Sequence, residues 1–167
     1  MLVLHYVQAG GRVVIIEGKH YQNAYITRNI DKAVTDFQAL ADVRKLIRYE
    51  GTTEVMTPAG RGPQTNKLAF LWVDDLQYEF IEPGPGIVDI YRNELPADDS
   101  LKFHHVCMRV DDWDEFRARV DKQPLPVVME RGGDTLRFLY LDARKLLGHY
   151  LEYVWMNDAT WTQMGGR

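Results

Sequence analysis

The pattern of apolar and polar residues predicts most of the strands in this chain. Side chains of a β-strand point to its two faces in turn, so a half-buried strand alternates in hydrophobicity, while a strand buried on both faces is apolar throughout. Segments with one of these patterns are residues 22–27, 67–73, 76–81, 104–110, 126–130, 136–141 and 149–155. Residues 43–56 permit one or two further strands.

Apolar residues spaced three and four apart predict two helices, each after a residue suited to begin one. Asn29 or Asp31 is expected to cap a helix that runs to about Asp42, since its side-chain oxygen accepts from the free amides of the first turn. Asp112 is expected to cap a second helix, to about Lys122. The side chains expected to face the core are Ala33, Val34, Phe37, Leu40, Ala41, Trp113, Phe116 and Val120.

The predicted elements occur twice in the same order. Residues 20–86 and residues 102–156 each give β-α-β-β-β, and residues 87–101 connect them with room for one helical turn. Residues 1–19 contain two strand-like runs on either side of Ala9-Gly10-Gly11, which predict an extra hairpin. Residues 58–63 form a loop by their Gly and Pro content, and the tail, residues 157–167, has no informative pattern. The predicted fold class is therefore α+β, with two tandem modules.

Four polar residues hold matching places in the two modules. Gln22 and His105, which are 83 positions apart, lie in the first strand of each module, and Glu79 and Glu152 lie in the last. Both glutamates sit mid-strand between aromatic and aliphatic neighbours, where an unpaired charge is costly to bury. Exposure to water, or an ion pair with Arg109 on the face of His105, would explain one such carboxylate. Two at repeated positions favour a shared cation.

The sequence around these positions resembles the vicinal oxygen chelate superfamily, which includes glyoxalase I, methylmalonyl-CoA epimerase, fosfomycin-resistance enzymes, extradiol dioxygenases and bleomycin-binding proteins. The resemblance rests on residues 22–33, 79–83, 105–112 and 148–154 and covers about residues 20–155. It implies a glyoxalase-like fold, in which two βαβββ modules form a cupped mixed sheet around a divalent metal. The metal ligands it implies are Gln22, Glu79, His105 and Glu152.

The resemblance also implies a chemistry. The metal, one of Zn, Ni, Co or Mn, would chelate a small 2-oxo or 2-hydroxy acyl substrate and stabilise an enediolate, which makes the protein an isomerase, epimerase or lyase. Glu152 would act as the general base, with Glu79 as the alternative base. Arg109 is a candidate for binding a substrate carboxylate or thioester oxygen, although an ion pair with a glutamate is an alternative for it. Tyr150 is a candidate hydrogen-bond donor to substrate.

Two alternatives stay open at this point. A small-molecule binding protein of the bleomycin-resistance type would use the cupped pocket without catalysis, but drug-binding members generally lack a complete ligand set. A methylmalonyl-CoA epimerase-like enzyme would need cations for the nucleotide, and Arg61, Lys67 and Arg92 are scattered. Such epimerases usually show His, Gln, His and Glu as ligands, so the present set departs at two places. Gln22 in place of a histidine disfavours an extradiol dioxygenase, which binds iron through two His and one carboxylate.

Composition limits the expected binding partners and the expected cellular compartment. A net charge of -4, with no block of five like charges, does not favour nucleic acid. No apolar run approaches the roughly 20 residues of a membrane span, and the first residues lack the features of a signal peptide. The single cysteine, Cys107, fits a reducing compartment. We expect a cytoplasmic protein with a small-molecule substrate, and a homodimer if modules pair between chains.

Overall fold

A computed structural model describes residues 15–167 of the chain. The strands are β1 (Lys19–Ile26), β2 (Lys45–Thr57), β3 (Gly60–Val73), β4 (Leu76–Gly86), β5 (Lys102–Arg109), β6 (Val127–Arg131), β7 (Leu136–Leu141) and β8 (Tyr150–Met156). The helices are α1 (Ile30–Gln38), α2 (Asp89–Arg92), α3 (Trp113–Val120), α4 (Arg144–Leu147) and α5 (Asp158–Gln163). The predicted N-terminal hairpin lies mostly outside the described residues, and its last residues, 15–17, do not form a strand.

The eight strands form one closed barrel in the order β1-β4-β3-β2-β6-β7-β8-β5. Two neighbouring pairs, β1 with β4 and β5 with β8, are parallel, and the other neighbours are antiparallel. The sheet is therefore mixed, as predicted, but it closes on itself and is not an open cup. Within residues 15–167, no helix is long and apolar enough to cross a bilayer.

The two long helices begin where capping chemistry predicts. The Asn29 side chain accepts from the Lys32 amide at 3.0 Å, and the Asp112 side chain accepts from the Glu115 amide at 2.9 Å. The end of α1 was predicted too late, because the helix stops at Gln38. Leu40 consequently lies in a turn with 92% of its surface exposed, so its predicted place in the buried stripe is wrong.

The predicted loop at residues 58–63 is shorter than its Gly and Pro content indicated. Strand β3 already begins at Gly60 and pairs with β2 along all but its last residue, from Gly60 opposite Thr57 to Trp72 opposite Lys45. Pro58 and Ala59 alone make the turn. Pairing with a long neighbouring strand outweighs the weak intrinsic strand preference of Gly and Pro.

Helices α1 and α3 pack on the outside of the barrel, and each covers one half of it. Ile30, Ala33 and Val34 of α1 pack against β3 and β4, while Phe116 and Val120 of α3 pack against β5, β7 and β8. Phe116 is completely buried, and burial of such a side chain contributes roughly 1.5–3 kcal/mol. Because side chains alternate along each strand, the opposite face of the same strands points into the barrel.

The C-terminal tail, which carries no informative sequence pattern, is ordered against the barrel through α5. Trp161 packs edge-on against Tyr21 and Trp72, with ring centroids 5.0 and 5.9 Å apart. The Trp72 indole donates to the Met164 carbonyl at 2.7 Å. Gln163 and Met164 thereby line part of the interior cavity.

Candidate metal and substrate site

Strand register brings three of the predicted site residues together. Ala24 of β1 lies opposite His105 of β5 on one side and opposite Glu79 of β4 on the other. Glu152 of β8 lies opposite Cys107, two residues from His105 on the same face of β5. As a result, one ligand atom each from Glu79, His105 and Glu152 lie within 4.8 Å of one another.

The cluster is buried and its imidazole lies close to both carboxylates. His105 Nε2 is 3.1 Å from Glu152 Oε2 and 3.6 Å from Glu79 Oε2. The exposed fraction is 0% for His105, 6% for Glu79 and 9% for Glu152. Two buried carboxylates require compensation by positive charge. A protonated His105 provides one positive charge, and a divalent cation bound by the three residues would provide two.

The pKa values reflect this crowding. Burial lowers the pKa of His105, but its hydrogen bond with Glu152 and the nearby carboxylate of Glu79 outweigh burial and raise it to about 9. Burial raises the pKa of Glu79, and the charge of Glu152 adds to this effect, while His105 opposes it. At neutral pH and without a metal, the cluster therefore holds an imidazolium between two carboxyl groups.

Gln22, the fourth predicted ligand, lines the same cavity as Glu79 and Glu152. Its Nε2 donates to Gln77 Oε1 at 2.6 Å, which fixes the orientation of the carboxamide. Its Oε1 is buried and has no hydrogen-bond partner among residues 15–167. The oxygen is the atom with which a carboxamide binds a cation, so this orphaned atom and the three clustered residues together fit a divalent metal.

Tyr140 and His104 contact His105, and Tyr91 contacts Tyr140. The sequence analysis did not predict these contacts. The Tyr140 hydroxyl is 3.4 Å from His105 Nε2, and the Tyr91 hydroxyl donates to Tyr140 at 3.2 Å. Burial raises the pKa of both phenols, so they remain protonated. His104 is buried, and its Nδ1 lies 2.8 Å from His105 Nδ1. Only the adjacency of His104 to His105 in sequence pointed to such a contact.

Arg109 and Tyr150, the predicted substrate-binding residues, lie elsewhere. The Arg109 guanidinium sits 4.4 Å above the Trp161 ring and pairs with Asp158 at 3.5 Å, so it anchors the tail. Tyr150 packs its ring against His104, with Arg144 stacked 4.6 Å from its centroid. Neither side chain is among those that line the cavity. Their binding of substrate stays a prediction that this arrangement does not support.

A cavity of about 500 Å³ borders the cluster. One face of β3 forms a wall of it through Gln64, Asn66, Leu68 and Phe70, and Phe70 lies directly opposite Glu79 in the sheet. Gln64 Oε1 and Asn66 Oδ1 are buried without hydrogen-bond partners among the described residues. The cavity thus combines a charged cluster with a wall that offers free polar atoms.

Comparison with known proteins identifies the family and the fold. The sequence profile of the Glyoxalase/Bleomycin resistance protein/Dioxygenase superfamily matches residues 21–140. A search of curated proteins gives no match. Among solved structures, a methylmalonyl-CoA epimerase from Mycobacterium tuberculosis has a TM-score of 0.61 and 15% identity, over 86% of this chain and 91% of that one.

Two further structures are similar to a comparable degree. A Streptomyces coelicolor methylmalonyl-CoA epimerase variant in complex with 2-nitronate-propionyl-CoA has a TM-score of 0.60 and 16% identity, over 84% of this chain and 96% of that one. A hypothetical protein from Bacillus halodurans C-125 has a TM-score of 0.57 and 17% identity, over 84% and 95%. At these identities the likeness is one of fold. Since the profile match spans more than half of the sequence, the chain belongs to the glyoxalase/bleomycin resistance protein/dioxygenase superfamily.

Proposed function

We propose that this protein is a divalent-metal-dependent enzyme that transfers a proton at a carbon next to a carbonyl, in a small 2-oxo or 2-hydroxy acyl substrate. Isomerases, epimerases and lyases share this step. The observation that carries the proposal is the buried group of Glu79, His105 and Glu152, whose ligand atoms lie within 4.8 Å of one another beside a cavity.

Four residues would hold the metal: Gln22 through its free Oε1, Glu79, His105 and Glu152. Three oxygen ligands and one imidazole suit Zn, Ni, Co or Mn, and the ligand types do not choose among these ions. When bound, the metal supplies Lewis acidity to a substrate carbonyl and so acidifies the neighbouring C–H.

The two glutamates provide the proton transfer. We assign Glu152 as the general base, and Glu79 as the alternative base or the group that returns the proton. Burial raises the pKa of Glu79 toward the neutral range in which a carboxylate exchanges protons most effectively. The protonated Tyr140 hydroxyl beside the cluster is the donor for the oxygen of the substrate, and Tyr91 donates its own proton to Tyr140.

The cavity favours a small polar substrate. A volume of about 500 Å³ suits a compact molecule, and the free carboxamide oxygens of Gln64 and Asn66 suit one with hydrogen-bond donors. Two of the three cations considered for a nucleotide are engaged elsewhere: Lys67 pairs with Glu82 at 2.8 Å, and Arg92 pairs with Asp89 and donates to the Gly84 carbonyl. A CoA thioester remains the alternative substrate class, because similar folds include methylmalonyl-CoA epimerases.

Matching registers in the two halves support the interpretation of two related modules. Gln22 and Ala24 of β1 lie opposite Gln77 and Glu79 of β4. In the same way, His105 and Cys107 of β5 lie opposite Tyr150 and Glu152 of β8. Strand orders β1-β4-β3-β2 and β5-β8-β7-β6 are also equivalent. A duplicated unit would give Gln22 and His105, and likewise Glu79 and Glu152, equivalent places.

The proposal is tested by metal analysis and by exchange of substrate hydrogen with deuterated solvent. Tag-free protein is expected to contain about one divalent ion per chain and to exchange the C–H next to the carbonyl in at least one of three probes: the hemithioacetal of a 2-oxo aldehyde, a 2-oxo acid or methylmalonyl-CoA. Glu152→Gln should abolish the exchange. Glu82→Gln, which changes a partly exposed glutamate paired with Lys67, is the matched control and should keep both metal and exchange.

Absence of stoichiometric metal together with absence of exchange in every probe would contradict the enzyme proposal. A non-catalytic small-molecule binding protein would then be favoured. One observation speaks for that alternative: without metal, the His105 imidazolium already compensates the buried carboxylates at 3.1 and 3.6 Å, so the cluster is stable as an ion pair. In that case bleomycin would be the first ligand to titrate.

A further inference from the structure

Two successive hydrogen bonds run from the backbone of helix α2 to His105, the proposed metal ligand. His104 Nε2 lies 2.8 Å from the carbonyl oxygen of Ile90, in the short helix α2. His104 Nδ1 lies 2.8 Å from His105 Nδ1. His105 Nε2 then faces Glu152 and Glu79 on the far side of its ring.

The Ile90 carbonyl oxygen, which begins this series of hydrogen bonds, determines which atom carries the proton in each bond. A carbonyl oxygen only accepts, so the hydrogen of the first bond belongs to His104 Nε2. A neutral imidazole carries a single N–H, which leaves His104 Nδ1 as an acceptor. The hydrogen of the second bond must then belong to His105 Nδ1. With that proton fixed, the lone pair of a neutral His105 is on Nε2, which is the atom that faces the two glutamates.

The surroundings of His104 require it to be neutral. Its ring is buried between the rings of Tyr91 and Tyr150, with centroids 5.1 and 4.9 Å away. No carboxylate pairs with it among the described residues, whereas His105 has two. A second imidazolium, unpaired and adjacent to the first, would carry a large desolvation and repulsion cost.

We propose that His104 is a positioning residue that, together with the Ile90 carbonyl, fixes the tautomer and ring orientation of His105 so that Nε2 is offered to the cation. The inference rests on the proposed metal site. A ligand histidine commonly donates its second N–H to a carboxylate, carbonyl or water, and such partners tune metal affinity. Here a second imidazole takes this place, and α2 is thereby tied to the site.

Three substitutions of His104 distinguish the loss of a hydrogen-bond acceptor for His105 from the loss of packing. Asparagine places its oxygen near the Nδ1 position and can accept from His105, whereas glutamine reaches toward the Nε2 position and leucine offers no acceptor. We expect zinc affinity, measured by competition with a chelator, to fall about 10–100-fold in His104→Leu and His104→Gln. His104→Asn should stay within roughly threefold of the wild-type value, in line with a retained acceptor. Equal losses in all three folded variants would overturn the proposal.

Nitrogen NMR of the histidine rings in the wild-type protein provides the second measurement and needs no variant. The metal-free protein should show His104 as the neutral Nε2–H tautomer, and the zinc-loaded protein should show His105 protonated at Nδ1. A His104 ring protonated at Nδ1 would overturn the inference. The first spectrum is recorded without metal, so it decides the tautomer of His104 even if zinc fails to bind. Failure to bind zinc would count against the proposed function instead.

Discussion

The proposed metal site predicts that metal affinity depends on pH through the ionisation of His105. A metal needs the lone pair of Nε2, so binding must displace the proton that the two glutamates hold there. Since these glutamates raise the pKa of His105 to about 9, that proton is bound throughout the neutral range. Raising the pH removes the competitor and should strengthen metal binding.

The magnitude is set by the distance between the working pH and the pKa. With a pKa of about 9, competition at pH 7 weakens binding about 100-fold relative to the fully deprotonated site, which corresponds to about 2.7 kcal/mol. The apparent affinity should rise about tenfold per pH unit up to roughly pH 9 and then level off. A histidine with its ordinary pKa of about 6.5 would level off some two units earlier.

Calorimetry in buffers of different ionisation enthalpy provides the assay, with zinc buffered by a chelator. Near neutral pH, about one proton should be released per zinc ion bound, and near pH 10 the release should vanish. Glu82→Gln serves as the control and should reproduce the wild-type profile. A profile that is flat between pH 7 and 9, with no proton released, would refute the assignment of His105 as a protonated ligand.

Two further predictions concern folding stability. In the metal-free protein, the raised pKa of His105, about 9, stabilises the fold. This stabilisation is complete below about pH 6.5 and is lost as the pH rises through 9. The midpoint urea concentration of unfolding should therefore be lower at about pH 10 than at about pH 6. An unchanged midpoint would count against the ion-paired cluster. Gly86→Ala should destabilise the protein by roughly 2–4 kcal/mol, because Gly86 has φ +98° and an added Cβ would lie 2.2 Å from the Pro63 carbonyl oxygen. Gly132→Ala, where an added Cβ meets no atom within 4 Å, should change stability by less than about 0.5 kcal/mol, and equal effects in the two variants would show that the contact with Pro63 is relieved at little cost.

The sequence predicts those parts of the site that depend on local alternation. Glu79, His105 and Glu152 were identified because each stands at the same place in a repeated strand pattern, and the face of a side chain follows from its parity along the strand. Helix starts at Asn29 and Asp112 were predictable for a similar reason, since capping acts within a few residues.

Features created by barrel closure could not be predicted in this way. Tyr140 reaches His105 from β7, and Tyr91 reaches Tyr140 from α2, across separations that no short-range pattern records. The same holds for Arg109, whose partners Trp161 and Asp158 belong to a tail without a distinctive pattern. Leu40 was misplaced for a different reason: helical periodicity continued in the sequence past the point where α1 ends.

The two halves of the barrel meet at two junctions of very different strength. Strands β1 and β5 are joined through seven register pairs, which include Ala24 with His105, whereas β2 and β6 are joined through the single pair of Met56 with Glu130. In the strand order, these junctions lie on opposite sides of the barrel. Widening the barrel at the β2–β6 seam breaks few backbone hydrogen bonds and leaves the strands that carry Glu79, His105 and Glu152 in register. The clustered side chains of Glu79, His105 and Glu152 therefore lie on the strongly paired side of the barrel, and the seam held by a single register pair lies on the other side.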